Sequence, residues 1–275
     1  MLENRIELKN IAFGYGKTML FQELSATFEG KEFCAIVGPN GSGKSTLIKC
    51  ICRLLPLQQG DIVVNGKSIG QYDSVELARL VSYVPQHQEN VFDISVYDLV
   101  MMGLYPYQKK WQMGNVKDDE IVCEMLHRCN LFHLKDRMLR ELSGGEAQRA
   151  LIARAMAQQT PIMLLDEPLS NLDVAHRYEI MDILAQLNKQ GVMILMVIHE
   201  FPIALEYATH ALLMKSGEIC AHGDVNAVMT PENIRKCFDL GSEYAVSETG
   251  NVSKTGCKYF IFRKLNKSFS ILLKE

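Results

Sequence analysis

The chain has 275 residues, of which 48% are hydrophobic and 22% are charged, so it suits a globular protein of one or two domains. This composition excludes disordered and fibrous classes of protein. With a formal net charge of -3, the chain lacks the excess of basic residues that general nucleic-acid binders carry. The longest apolar stretches, residues 162–165 and 192–198, are far shorter than the roughly 18 residues that cross a bilayer.

The first residues contain no apolar segment of the kind that directs secretion, because Glu3 and Arg5 interrupt it at once. We therefore expect a cytoplasmic protein. The eight cysteines include no Cys-x-x-Cys pair, which favours free thiols over a metal site or a disulfide framework.

The first part of the chain predicts strands that lead into a glycine-rich loop. Apolar and polar residues alternate over 5–15 and 24–33, which predicts two antiparallel strands. Over 32–37 the pattern becomes continuously apolar, as in a buried strand. After the loop, residues 45–55 predict a helix that Pro56 ends. A strand, a glycine-rich loop and a helix in this order are the context of a phosphate-binding loop.

A helical pattern replaces the strand pattern from residue 86 to residue 159. Within this insertion the periodicity predicts helices over 96–102, 121–130 and 146–158. We therefore predict a helical subdomain.

Strands are predicted again at residues 162–165, 192–198 and 210–214. A helix over 174–189, which ends at Gly191, separates the first two of them. Strands and helices that alternate in this way predict an α/β fold with a mainly parallel sheet.

The last part of the chain carries weaker signals. Gly217 predicts a hairpin turn, and Thr230 predicts the cap of a helix over 234–238. After Gly241 the pattern fades, and residues 259–262 predict a late strand in a small accessory hairpin.

The glycine-rich loop has the sequence of a phosphate-binding loop. Its glycines let backbone N–H groups approach phosphates, and the positive end of the following helix favours their charge. Lys44 is suited to bind the β and γ phosphates of a nucleotide, and the Ser45 hydroxyl is suited to bind Mg²⁺. The alternative is a tight turn that binds no ligand. The predicted nucleotide contacts here are Gly38, Pro39, Asn40, Gly41, Ser42, Gly43, Lys44, Ser45 and Thr46.

Two carboxylates, Asp166 and Glu167, end the apolar strand at 162–165. A carboxylate at the end of a buried strand is stable only when a cation or a water network meets it. The pair is therefore either part of a catalytic cation site or a paired structural group.

A second motif, Leu142-Ser143-Gly144-Gly145-Glu146, follows the phosphate-binding loop along the chain. One nucleotide needs only one phosphate-recognition element, so the second must serve a nucleotide held by another copy. The two motifs together resemble the ABC-type ATPases over roughly residues 6–238. The resemblance implies a P-loop NTPase fold of the α/β class, with a mainly parallel core sheet, an antiparallel β subdomain and a helical subdomain at about 87–159. It implies an ABC ATPase domain over 1–240 and an accessory segment over 241–275.

The resemblance also implies roles for single residues. Asp166 supports Mg²⁺, and Glu167 polarises the attacking water as a general base. The signature residues Ser143 and Gly145 reach the γ phosphate of the opposing subunit. The other signature residues predicted at the nucleotide are Gly144 and Glu146.

Four further residues match motifs of this family. Tyr15 stacks on adenine, although a buried core tyrosine is the alternative. Gln86 touches Mg²⁺ or water and senses the γ phosphate, and Asp173 belongs to a D-loop at the dimer seam. His199 contacts the γ phosphate, although a structural histidine is the alternative. The catalytic set is Lys44, Gln86, Glu167 and His199, and the Mg²⁺ ligands are Ser45, Gln86 and Asp166.

A single cassette without fused membrane helices favours the subunit of an importer. Residues 95–107 resemble the segment after Gln86 in ATPases of iron-chelate, haem and cobalamin importers, where Gly-Arg-x-Pro is typical. Leu104 stands at the Arg position. The alternative is an amphipathic helix that packs internally through residues such as Val96 and Leu99.

This resemblance implies two copies that sandwich two MgATP and a separate integral membrane permease. It also implies indirect dependence on an extracytoplasmic substrate-binding protein, and no nucleic acid. The chain would then be peripheral at the cytoplasmic face of the membrane. The alternative function is a non-transport ABC ATPase that regulates a protein or nucleic-acid machine.

Overall fold

The structure is a computed structural model that describes residues 4–86, 93–108, 116–170, 172–240, 244–248 and 260–264. The strands, in chain order, are β1 (Arg5–Tyr15), β2 (Thr18–Glu29), β3 (Phe33–Val37), β4 (Gln59–Val64), β5 (Lys67–Ser68), β6 (Val81–Val84), β7 (Ile162–Asp166), β8 (Met193–Val197), β9 (His210–Lys215), β10 (Glu218–Asp224), β11 (Tyr244–Glu248) and β12 (Phe260–Lys264).

The α-helices, in chain order, are α1 (Lys44–Ile51), α2 (Ser74–Ala78), α3 (Val96–Met101), α4 (Val116–Arg128), α5 (Gly144–Ala157), α6 (Val174–Lys189), α7 (Phe201–Tyr207), α8 (Val225–Val228) and α9 (Pro231–Cys237). Short 3₁₀ turns occur as well, and one of them, Met102–Tyr107, continues directly from α3. In the described part of the chain no helix is long and apolar enough to cross a membrane.

The chain divides into two compact units. Unit 1 comprises Met1–Ile69 and Leu195–Glu275, and unit 2 comprises Gly70–Ile194. The second boundary falls within β8, so the strand pattern alone does not mark it. The extent of an ABC ATPase domain over 1–240 stays a prediction.

Unit 1 contains an antiparallel sheet in the order β2-β1-β4-β5. Its centre is apolar: Ile6 of β1 lies opposite Phe28 of β2 and Val64 of β4, and all three are fully buried. Burial of each such side chain contributes about 1.5–3 kcal/mol. The alternation that predicted an antiparallel strand over 5–15 is thus confirmed.

Unit 1 also contains parallel pairing, between β3 and β9, and β10 then pairs antiparallel with β9. Every residue of β3 is buried, which agrees with its continuously apolar sequence. The strand ends at Val37 and delivers the chain into the glycine-rich loop and α1.

The predicted end of the first helix was wrong. Helix α1 stops at Ile51 rather than at residue 55, because Arg53 adopts a left-handed φ of 56°. The Leu54 N–H then donates to the Lys49 carbonyl, a hydrogen bond of the kind that closes a helix C-terminus. The helix therefore ends before Pro56, which is not the residue that terminates it.

Unit 2 contains the parallel pair β6 and β7 and a group of helices in which α3, α4 and α5 contact one another. The three helices predicted in the insertion are present with shifted ends, and α6 has the predicted bounds. The Asp173 side chain caps α6 by accepting from the His176 N–H at 2.9 Å.

Several strands differ from the sequence-based expectation. The strand predicted over 24–33 is two elements: β2 begins at Thr18 and ends at Glu29, and Phe33 opens β3. Strands β4, β5 and β6 were not predicted. In the C-terminal region β11 and β12 pair antiparallel, which is the predicted accessory hairpin.

Candidate nucleotide-binding site

The glycine-rich loop of unit 1 depends on glycine at three positions. Gly41 and Gly43 adopt φ values of 77° and 101°, in the left-handed region where a residue with a side chain would be strained. At Gly38 a Cβ would lie 2.0 Å from the Met214 carbonyl oxygen of β9. The loop is therefore held tightly against its own unit and presents its backbone at the start of α1.

The side chains in this loop fit a phosphate group. Lys44 is only 5% exposed, and its Nζ donates to the carbonyl oxygens of Gly38 and Pro39, at 2.9 Å each. Ser42 Oγ is buried and has no hydrogen-bond partner within the described residues. A buried ammonium group and a buried hydroxyl at a helix N-terminus suit a strongly charged oxyanion.

Tyr15 is exposed on the surface of unit 1. Its side chain is 57% exposed, so the alternative of a buried core tyrosine is wrong. The ring packs edge-on against Phe13 with centroids 5.0 Å apart, and the Tyr15 hydroxyl lies 3.3 Å from Thr46 Oγ1 at the start of α1. A free ring face beside the phosphate loop suits a flat base.

Gly217 also supports the loop, a role that the sequence did not reveal. Its N–H donates to the Ser42 carbonyl at 3.1 Å. With a φ of 82°, its missing Cβ would lie 1.8 Å from the Leu20 carbonyl oxygen. The predicted hairpin turn therefore also supports the phosphate loop through this hydrogen bond, and only glycine fits at position 217.

His199 follows β8 and is exposed, whereas the preceding Ile198 is 2% exposed and donates its N–H to the Ile36 carbonyl of β3. Neighbouring side chains of an extended segment point to opposite sides. The Ile198 side chain therefore lies in the core, and His199 is on the opposite, solvent-facing side.

In unit 2 the structure brings two predicted residues into contact. Gln86 Nε2 donates to Glu167 Oε2 at 2.6 Å. Glu167 follows Asp166, which is buried at the end of β7. The amide thus fixes one carboxylate oxygen of the predicted general base.

Glu167 has an unusual backbone conformation, with a φ of 47°. Non-glycine residues in this region cost about 1–3 kcal/mol and are held by their surroundings. Here the Ser170 N–H and hydroxyl both donate to the Glu167 carbonyl, at 3.2 and 3.0 Å. The sharp turn places the Asp166 and Glu167 side chains in different environments, one buried and one half-buried.

The signature motif lies at the N-terminus of α5. Ser143 is the N-cap, and Ser143 and Glu146 form a capping box in which Glu146 Oε2 accepts from the Ser143 N–H and hydroxyl, at 2.7 and 2.8 Å. These two hydrogen bonds, from the backbone first, lower the pKa of Glu146. Ser143 and Gly144 are exposed, so the helix end is open to solvent.

Asp173 is exposed at the start of α6. Its Oδ1 accepts from the His176 N–H and lies 2.8 Å from His176 Nδ1. Both interactions, the backbone hydrogen bond first, lower the pKa of Asp173. Asn171, in the same predicted D-loop, lies outside the described residues.

Comparisons with known proteins show the family to which the chain belongs. The family described as ABC transporter matches residues 14–170. The chain belongs to this family. Its fold is that of the ABC ATPases, and the chain is a nucleotide-binding ATPase.

Among similar ABC proteins is the ferric enterobactin transport ATP-binding protein FepC of Escherichia coli, which is 35% identical over 86% of this chain and 88% of its own length. The petrobactin import ATP-binding protein FpuC of Bacillus anthracis is 35% identical over 91% of this chain and 95% of its own length. A solved metal-chelate type ABC transporter in an inward-facing conformation is 28% identical, with a TM-score of 0.81 over 96% of this chain and 98% of that chain.

The predicted site residues of this ABC ATPase thus form two groups. Unit 1 contains the phosphate loop, Tyr15 and His199, and unit 2 contains Gln86, the signature motif, the carboxylate pair and Asp173. Ser45 offers a hydroxyl oxygen, and Gln86 and Asp166 offer amide and carboxylate oxygens, which is the donor type that Mg²⁺ prefers. The roles of the individual residues stay predictions.

Proposed function

We propose that this chain is the ATP-hydrolysing subunit of an importer for an iron chelate, haem or a cobalamin-like molecule. Two copies bind two MgATP head to tail and drive a separate membrane permease from the cytoplasmic face. FepC serves ferric enterobactin transport and FpuC serves petrobactin import, and their similarity over most of this chain supports the substrate class. An extracytoplasmic binding protein would deliver the substrate to the permease.

The observation that carries the proposal is the presence of two phosphate-recognition elements on one chain. The loop around Lys44 is in unit 1, and the signature motif is at an exposed helix N-terminus in unit 2. Helix N-termini with open N–H groups bind anions. An exposed second element suits the γ phosphate of a nucleotide held by another copy, which explains why the dimer closes on ATP.

Hydrolysis requires a base that is oriented before the water attacks. The Gln86 amide holds one oxygen of Glu167, and this contact would orient the carboxylate toward the attacking water. Mg²⁺, held by Ser45, Gln86 and Asp166, would supply a positive charge beside the β and γ phosphates. His199 and the signature residue Ser143 then contact the γ phosphate, so that its loss weakens the closed dimer.

Lys44 is positioned for its role by the same carbonyl oxygens that hold it in the loop. Its Nζ would exchange the Gly38 and Pro39 carbonyl oxygens for phosphate oxygens. An ammonium group binds an anionic phosphate oxygen more strongly than a neutral carbonyl oxygen. The exchange is therefore favourable when ATP binds.

The segment that resembles the iron-chelate importers divides into a buried and an exposed part. Val96 and Leu99 of α3 are buried, so internal packing, the alternative considered above, explains them. Leu104, at the position where Arg is typical, is 3% exposed and unavailable to a partner. Tyr105, in contrast, is 69% exposed, and Met102 is also exposed. We therefore assign the permease contact to the exposed residues alone.

The 3₁₀ turn of this segment requires a glycine at position 103. A Cβ there would lie 2.2 Å from the Arg154 carbonyl oxygen of α5. The 3₁₀ turn therefore packs directly on the signature helix within unit 2. A force on Tyr105 would reach the helix that carries the signature motif, which is the connection that coupling to a permease requires.

The substrate class is tested by uptake. Cells that carry only the Glu167→Gln variant should lose uptake of one class among radiolabelled iron chelates, haem and cobalamin, compared with cells that carry the wild-type chain. Uptake of all three at the wild-type level, together with stable purification of the chain with ribosomes or DNA, would favour the non-transport function.

The head-to-tail dimer is tested by two heterodimers that contain the same lesions. Lys44→Ala damages the loop of its own chain, and Ser143→Arg blocks the site whose loop belongs to the other chain. With the lesions on opposite chains both fall in one composite site, so one site should retain ATP. With both lesions on one chain, paired with an unaltered chain, each site has one lesion and no site should retain ATP. The readout is ATP retained per dimer in a Glu167→Gln background.

A further inference from the structure

The first turns of α5 and α6 pack against each other through His176. A Cβ at Gly145 would lie 3.2 Å from both Cδ2 and Cγ of His176, so the imidazole ring lies directly on the signature glycine. Gly144, one residue earlier, has open space where its Cβ would be. The contact is therefore specific to the glycine that is buried at the helix N-terminus.

The same ring also contacts Asp173 of the predicted D-loop. His176 Nδ1 lies 2.8 Å from Asp173 Oδ1, and the same oxygen accepts from the His176 N–H at 2.9 Å. Two interactions with one carboxylate oxygen restrict both the backbone and the rotamer of His176. One side chain thus contacts both the D-loop residue and the signature residue of the same chain.

A second tie between the two helices lies one turn further along. Arg149 is buried, and its guanidinium Nη1 lies 2.9 Å from Glu179 Oε2. Arg149 is four residues after Gly145 on α5, and Glu179 is three residues after His176 on α6, so both pairs lie along one line of contact. The two ties together define the register of α5 against α6.

We propose that His176 is a positioning residue that holds the signature motif in register with Asp173. The inference rests on the proposed head-to-tail dimer, in which the signature motif and the D-loop of one chain both face the nucleotide of the other. Misplacement of donors by about 1 Å costs a large factor in catalysis and binding. By fixing Gly145 relative to Asp173, His176 lets both elements meet the partner's nucleotide together.

The packing contact is tested first, by stability. Gly145→Ala should lower the melting temperature because its methyl group meets the imidazole ring, whereas Gly144→Ala meets nothing. Adding His176→Ala to Gly145→Ala should recover most of the loss, since the ring is then absent. If the two losses simply add, the ring does not occupy the space beside Gly145 in solution.

The positioning role is tested by placing His176→Ala in the two heterodimers, in the position of Ser143→Arg. With Lys44→Ala on the opposite chain, the altered signature faces the damaged loop, and the remaining site should release ATP at the wild-type rate. With both changes on one chain, the altered signature faces the intact loop. ATP release should then be roughly tenfold faster, as for the loss of one hydrogen bond to a charged group.

The His176→Asn variant separates the hydrogen bond from general damage to the fold. Its side-chain amide can donate to Asp173 from the place of Nδ1, so it should restore most of the slow release. Melting temperatures of both variants serve as the control for folding. Asn that releases ATP as fast as Ala would contradict a role for the Asp173 hydrogen bond.

The two proposals fail in different ways. If ATP retention by the Ser143→Arg heterodimers depends on the arrangement of lesions but ATP release by the His176→Ala heterodimers does not, the head-to-tail dimer is supported. His176 then has no positioning role. If neither pair depends on the arrangement, the head-to-tail dimer itself is wrong, and the role of His176 falls with it.

Discussion

Gln86 donates a 2.6 Å hydrogen bond to Glu167, and these two residues are far apart in the sequence but adjacent in unit 2. Gln86 lies two residues after the end of β6, and Glu167 lies directly after the end of β7. Because β6 and β7 pair in parallel, their carboxyl ends lie at the same edge of the sheet. The predicted γ-phosphate sensor and the predicted general base are thus connected directly.

Glu167→Gln should bind ATP with near wild-type affinity but lose most hydrolysis, by about 10²–10⁴-fold, because an amide cannot act as the base. The amide can keep a hydrogen bond to Gln86, so the fold should remain. Steady-state ATPase and ATP binding are measured on the same preparation. Size-exclusion chromatography with ATP should show an accumulated dimer.

The matched control is Gln86→Glu, which places two carboxylates at the 2.6 Å contact. It should alter the surroundings of the Glu167 carboxylate without removing that carboxylate. Glu167→Gln that hydrolyses ATP at the normal rate would show that another group is the base.

Lys44→Ala should weaken MgATP binding, since it removes the buried ammonium group that faces the loop carbonyls. A hydrogen bond to a charged group contributes about 1.5–3 kcal/mol, so the dissociation constant should rise by at least tenfold. Isothermal titration with MgATP measures this. An unchanged affinity would contradict the role of Lys44.

Gly217→Ala should destabilise unit 1 because the added methyl group meets the Leu20 carbonyl oxygen at a position with a φ of 82°. Gly66→Ala is the matched control, since Gly66 has a φ of 80° and open space around its Cβ position. The control should cost about 1–2 kcal/mol for the left-handed backbone alone. Gly217→Ala should cost more, as measured by urea unfolding.

The same pair of variants tests the support that Gly217 gives to the phosphate loop. Of these two glycines, Gly217 is the one whose N–H donates to Ser42, so Gly217→Ala should also reduce ATP affinity whereas Gly66→Ala should not. Equal losses of unfolding free energy in both variants would show that the chain relaxes around Gly217.

Local patterns predicted much of the fold. The helix over 174–189 was predicted with Gly191 shortly after its end, and α6 has these bounds; its N-cap, Asp173, was seen only in the structure. The buried strands β3 and β7 followed from continuous apolar runs. Strand β4 was missed because only its last three residues are buried, and its pairing with β1 depends on distant sequence.

The site contained features that no local pattern could reveal. Glutamate is not a turn-forming residue, so the left-handed φ of Glu167 is imposed by the surrounding structure. The donation from Gly217 to Ser42 and the contact of His176 with Gly145 join residues that are distant in sequence. Motifs located the reactive groups, but the groups that hold them depend on tertiary packing.

Tyr105→Glu should weaken permease binding by roughly tenfold or more while leaving the basal ATPase of the isolated chain unchanged, because an exposed aromatic contributes little to the fold and much to an interface. Tyr107 is less suitable, since its ring lies 5.4 Å from the Arg79 guanidinium, whose Nε donates to the Pro106 carbonyl. Tyr107→Glu should therefore also lower the melting temperature.

Val116→Glu is the control for Tyr105→Glu, because Val116 is an apolar residue of the same unit that is 74% exposed. It should leave both ATPase and permease binding intact, so a loss confined to Tyr105→Glu would identify the segment rather than added charge. The measurement is the affinity for the purified permease in detergent, once uptake experiments have identified it, together with a thermal melt. Normal permease binding by Tyr105→Glu would remove this segment from the interface, and unfolding of the variant would support internal packing instead.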